Sequence, residues 1–219
     1  MSMLCLTVVA ETPDFDLDMG DGYIYFRDGD DLSKAEKITG ISTKELQKLF
    51  KQENLVMLAL SEDNQRQIRV AHYSNELSEK IADLDLLDIK QLAEFRDKLS
   101  ERLSLDGTLI GTDYVENLDA PINKYVIHTE LFSDNGGDYM VTQYVTVKDG
   151  AFWHITTYGP NHSNVPDVVP HFSVDDGGID MSKVFYAVGA LFAVLAVMML
   201  ILYIKEHRTE NSVQNFENQ

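Results

Sequence analysis

An intrachain disulfide cannot form in this sequence, because Cys5 is its only cysteine. Whatever folds here must be held by its core rather than by cross-links. Basic residues are also scarce: 18 Lys and Arg stand against 36 Asp and Glu, a net charge of −18. Nucleic acid is thereby excluded as a partner, since phosphate binding needs clustered Lys and Arg. Adhesion to anionic lipid headgroups is disfavoured for the same reason. The chemical signatures are missing as well. There is no GxSxG, no GxxxxGK[ST], no GxGxxG and no HExxH, so the common nucleophile, nucleotide and zinc arrangements have no foothold. Paired carboxylates abound, and that abundance makes each pair uninformative.

What the chain does have is one long apolar run. Val184 to Ile204 is 21 residues without an Asp, Glu, Lys or Arg, and twelve of them are Leu, Ile, Val or Phe. At about 1.5 Å per residue a helix of that length covers roughly 30 Å, the thickness of a hydrocarbon core. Residues 184–204 are therefore expected to form a single transmembrane helix. Lys205 and Arg208 follow it, whereas Lys183 alone stands close before it, behind Asp175, Asp176 and Asp180. By the positive-inside rule this places residues 205–219 as a short cytoplasmic tail and the rest of the chain outside the cell membrane. Gly189, Ala193 and Ala196 form a small-residue face on such a helix, so a weak homodimer through Gly189 and Ala193 is a further expectation.

The N-terminus bears on the same topology. Residues 1–10, MSMLCLTVVA, are apolar and end in Val8-Val9-Ala10 before Glu11-Thr12-Pro13. Small residues at those positions read as the end of a secretory signal, with Glu11 beginning the mature chain. A basic n-region is lacking, and Leu4 to Val9 also reads as a first β-strand. A tail-anchored cytosolic protein is the third reading.

Residues 11–158 hold enough chain for one acidic domain with a sizeable core. The patterns within it predict an α+β fold: an antiparallel sheet with packed helices. Phe15 to Phe26 reads as two strands about Gly20-Asp21-Gly22. Ser42 and Glu45 form a capping box, with Ile41 and Leu46 spaced as a hydrophobic staple and Leu46, Leu49 and Phe50 facing inward. Strands are expected at Leu55–Leu60 and Gln67–Tyr73. A longer helix runs from Asp88 to Leu103 on the stripe Ile89, Leu92, Phe95, Leu99 and Leu103, and Gly107 suits its exit. Strands come next at Thr108–Tyr114, Lys124–Phe132, Tyr139–Lys148 and Ala151–Tyr158. Asp149-Gly150 is a two-residue hairpin turn, and it sets Val147 opposite Phe152, Thr146 opposite Trp153, Val145 opposite His154 and Tyr144 opposite Ile155. Residues 159–183, with Pro160, Pro166 and Pro170, read as an extended stalk.

This element order, together with the terminal hairpin YVTVKDGAFWHITTYG, resembles the PsbP-like α/β/α fold, which has exported bacterial relatives. The resemblance implies an adaptor or assembly role more than catalysis. The closing helix usual after that hairpin is absent here.

His154, His162 and His171 are the weak site candidates. Gaps of eight and nine residues match no metal-ligand spacing, so His154 reads as a packed core histidine and the other two as exposed. Asp14-Phe-Asp16-Leu-Asp18 fails as a calcium loop, because Met19 and Tyr25 stand where glycine and glutamate are needed. It reads instead as a strand with one wet, acidic face. No cofactor, catalytic residue or metal ligand is expected. The leading class is a membrane-tethered binding or assembly module whose partner is another protein. An enzyme with an unrecognised carboxylate or histidine site is the alternative.

Overall fold

The computed structural model describes residues 13–134, 137–160 and 167–175. The expected signal remnant, the apolar run with Gly189 and Ala193, the tail and His162 lie outside the described residues. Among the described residues no helix is long and apolar enough to cross a membrane. The chain separates into two units, Met1–Val174 and Asp175–Gln219, and every described helix and strand belongs to the first.

Asp149 and Gly150 both take positive φ, 50° and 74°, as a primed two-residue turn demands. They join β7 (Gly137–Lys148) to β8 (Ala151–Pro160) in the register set by that turn, with Thr146 opposite Trp153 and Val145 opposite His154. The hairpin is central to an antiparallel sheet of seven strands. The other five are β2 (Tyr23–Arg27), β3 (Leu55–Ser61), β4 (Gln67–Tyr73), β5 (Thr108–Glu116) and β6 (Lys124–Asp134), and the order is β2-β3-β4-β8-β7-β6-β5. The α+β class and the large antiparallel sheet are thus as expected.

Among the described residues, four α-helices form from local signals. The first is α1 (Ser33–Thr39). Next comes α2 (Thr43–Gln52), which starts on the Ser42–Glu45 capping box and buries Leu46 and Phe50. A single turn, α3 (Glu76–Glu79), is capped by Asn75. The longest, α4 (Ile89–Leu103), starts on the reciprocal bonds of Asp88 and Gln91 and buries Leu92, Phe95, Leu99 and Leu103. Two apolar residues expected inside are outside: Ile41 is 43% exposed and Ile89 70%. Both sit at helix starts, where capping fixes the backbone whether or not the side chain finds cover.

The two faces of the sheet are covered differently. One face carries Trp153, Ile155, Val70, Tyr125 and Tyr144. It is closed by a small second sheet in which β1 (Phe15–Leu17) pairs antiparallel with β9 (Phe172–Val174). In β1, Phe15 and Leu17 are buried while Asp16 is exposed, which is the wet acidic strand face expected. The other face carries two helical blocks. Helices α1 and α2 seal Phe26, Leu58 and Leu60 near the β2–β3 edge, while α4 seals Val145, Val147 and Phe152, with Phe95 and Phe152 stacked 6.2 Å apart.

The expected stalk needs correcting over its described part. Gly159 and Pro160 belong to β8, Val169–His171 is a 3-10 turn, and Phe172–Val174 is β9. Val168, Val169 and Phe172 are buried. Prolines marked this stretch as extended, but Pro170 fits the 3-10 turn, and its apolar neighbours have the Trp153 face to bury against.

Candidate functional site

Side chains alternate along a strand, so the register fixes which residues share a face. On the helix side, Arg69, Thr156, Gln143, His128 and Thr112 stand directly opposite one another across β4, β8, β7, β6 and β5. They make one polar row across five strands. The two helical blocks leave part of this row uncovered, and a cleft of about 340 Å³ opens there. Its floor includes Arg69, Ala71, His154, Thr156 and Gln143; its walls include Glu53 to Leu55 and Leu105.

Hydrogen bonds orient the floor. The Gln143 side-chain amide donates to the Leu103 carbonyl at 2.6 Å, so its Oε1 must turn to His154. That oxygen lies 2.9 Å from His154 Nε2 and, having only lone pairs, requires a proton on that nitrogen. Thr156 Oγ1 is 3.4 Å from the same Nε2, placing the hydroxyl oxygen on the acceptor side and leaving its hydrogen to donate elsewhere. Burial depresses the His154 pKa to about 4, so the ring is neutral near pH 7 and Nδ1 keeps its lone pair. No hydrogen bond from a described residue reaches Nδ1.

Charge in the cleft is already matched. Arg69 Nη1 donates to both Glu53 carboxylate oxygens, at 3.0 and 2.9 Å. The same guanidinium lies 4.7 Å over the Tyr158 ring, a cation–π contact that fixes it against the floor. Desolvation raises the pKa values of Tyr158 and Tyr73, so both rings reach the cleft with intact hydroxyls.

Behind the Leu105 wall is a buried network. Thr112 Oγ1 meets His128 Nδ1 at 2.6 Å, and His128 Nε2 meets Glu130 Oε1 at 2.9 Å. Glu130 also accepts from the backbone N–H groups of Leu105 and Gly107. Its burial opposes ionisation, but the bonds from His128, Leu105 and Gly107 together hold its pKa below the ordinary value. Gly107 is needed for close approach: a Cβ there would meet the Phe132 ring at 2.7 Å and Glu130 Oε2 at 2.9 Å. The carboxylate therefore ties the α4–β5 connection, and Leu105 with it, to the sheet.

Of the sequence candidates, His154 is on β8 opposite Val145 as expected, and it lines the cleft. His171 is exposed on the 3-10 turn; its neighbour Phe172 packs on the Trp153 face, so His171 and His154 serve opposite sides of the sheet. Among the described residues, no three His, Cys, Asp or Glu side chains are grouped to hold a metal. Sequence reasoning missed Gln143, Thr156, Arg69, Glu53, His128 and Glu130. Two of these were within reach, because the Asp149-Gly150 register carried outward pairs Gln143 with Thr156. No protein-family model matches the chain, and no curated protein is significantly similar to it, which leaves the PsbP-like resemblance resting on element order and the terminal hairpin.

Proposed function

We propose that this chain is a membrane-anchored binding module that holds its ligand in the cleft over Thr156, Gln143 and His154. The apolar run at 184–204 supplies the anchor, with the sheet domain outside the membrane and residues 205–219 inside. One observation carries the preference for binding over catalysis. Gln143 keeps His154 Nε2 protonated, so the nitrogen beside Thr156 has no lone pair with which to take the hydroxyl proton. A Thr–His pair wired that way positions hydrogen bonds and does not generate a nucleophile.

Native mass spectrometry on the full chain, released gently from its own membranes, tests the reading. Wild type should carry an associated mass that is lost from Thr156→Trp, which fills the cleft from a half-exposed position. An adduct equally present on both chains, or absent from wild type, contradicts it. Protease applied to intact cells should remove the domain and spare a C-terminal tag; a protected domain contradicts the orientation.

A further inference from the structure

The hydrogen-bonding groups of the cleft favour a neutral ligand group that both donates and accepts, and this inference rests on the binding function proposed for the same site. His154 offers one acceptor, Nδ1, because its other nitrogen is committed to Gln143. Thr156 offers one donor, because its oxygen already faces the His154 N–H. His154 and Thr156 are two residues apart on β8, so these groups stand side by side on one face. The fixed charges are balanced against each other in the Arg69–Glu53 pair.

Charged ligands fit this poorly. A carboxylate has no hydrogen for Nδ1 and would set its lone pairs against the imidazole lone pair. It would also enter a domain of strongly negative charge. An ammonium group could donate to Nδ1, but it has no acceptor for the Thr156 hydroxyl and would sit beside the Arg69 guanidinium. A buried donor or acceptor left unmatched by a ligand weakens binding by the cost of its lost solvation.

We propose that the cleft recognises a neutral amide group, with His154 Nδ1 accepting its N–H and the Thr156 hydroxyl donating to its carbonyl oxygen. The apolar body carrying the amide lies along Ala71 and the Tyr73 and Tyr158 rings, which line the same cleft. An amide of this kind reaches the protein from two sources: the acetamido group of an amino sugar, or an Asn or Gln side chain of a partner.

The test uses the full chain in detergent micelles, labelled with ¹⁵N at histidine, and follows the His154 Nδ1 resonance. Acetamide should shift that resonance saturably, while acetate and ethylammonium, its charged counterparts of similar size, should require at least tenfold more. Thr156→Val should weaken the acetamide response at least tenfold, and Thr156→Ser, which keeps the hydroxyl, should restore it. Acetate or ethylammonium acting as well as acetamide overturns the proposal, as does a Thr156→Val response equal to wild type. So does the absence of any saturable shift. N-acetylglucosamine and N-acetylglutamine amide then separate the sources, and the tighter of the two names the source. A wild-type adduct that Thr156→Trp abolishes, combined with indifference to acetamide, would remove the amide assignment and leave the binding function standing.

Discussion

One residue along β8 separates two environments. Trp153 faces Phe15 and Phe172, with ring centroids at 5.1 and 5.4 Å, and is 1% exposed. His154, on the opposite face, is hydrogen-bonded to a glutamine and borders a cleft. The tryptophan face is closed by side chains from both ends of the folded unit, since β1 and β9 meet over it. The buried Tyr125 and Thr146 hydroxyls have no partner there among the described residues. Shape and apolar area carry most of the hold on this face, with the β1–β9 backbone pairing and the Arg27 bond to the Phe15 carbonyl at its edge. The histidine face divides its cover between two helical blocks and links most of a polar row by side-chain bonds, with Arg69 Nε left without a partner among the described residues. Such networks add little net stability but fix the positions of their members. A closed apolar core and an open polar cleft are thus separated by the thickness of one sheet.

Substitutions on the tryptophan face should break the fold most severely. Trp153→Ala and Phe172→Ala should each cost about 3–5 kcal/mol, the usual range for truncating a buried aromatic. Urea unfolding of the full chain, followed by far-ultraviolet circular dichroism, measures both. Phe172 is the sharper probe, because it lies in the stretch whose prolines suggested a stalk. A cost near zero there would detach β9 from the core and return residues 167–174 to a connector.

These contrasts explain what the sequence made legible. Capping boxes at Ser42 and Asp88 and the turn at Asp149-Gly150 are local chemistry, so helices α2 and α4 and the β7–β8 register could be read directly. The cleft could not be. Arg69 meets Thr156 only because β4 pairs with β8 across more than eighty residues of chain, and nothing local encodes that pairing. The His128–Glu130 network escaped for a related reason. Its partners at Leu105 and Gly107 are backbone N–H groups, which have no sequence signature. The β1–β9 pair joins the two ends of the domain, and its three-residue strands are too short to show a period.

The histidine face should reveal itself through pH. Burial lowers the His154 pKa to about 4, whereas an unfolded histidine titrates near 6.5. Between those values the unfolded chain takes up a proton that the folded chain refuses, so stability should fall as pH drops from about 6.5 towards 4. The gap corresponds to about 3 kcal/mol at full effect. His72, whose pKa burial also lowers, acts in the same direction from the tryptophan side. Glu130 adds a loss of its own at lower pH, when its depressed carboxyl finally protonates. Urea midpoints of wild type and His154→Gln at pH 7, 6 and 5 isolate the histidine share. The variant should show a shallower decline, and identical slopes would mean that His154 is not held neutral by its surroundings.

The smallest effect should come from the residue next to one of the largest. His171 precedes Phe172 in the chain, yet among the described residues only its backbone is engaged. Its N–H donates to the Val168 carbonyl at 3.1 Å, and its carbonyl accepts from the Asp18 N–H at 3.3 Å. Both bonds survive a side-chain substitution, and the imidazole itself is exposed. His171→Ala should therefore shift stability by no more than about 0.5 kcal/mol, as for surface changes away from special features. The same urea experiment reports it beside Phe172→Ala. A loss of several kcal/mol at His171 would show that the imidazole has a structural partner, and that this edge of the tryptophan face depends on polar contacts after all.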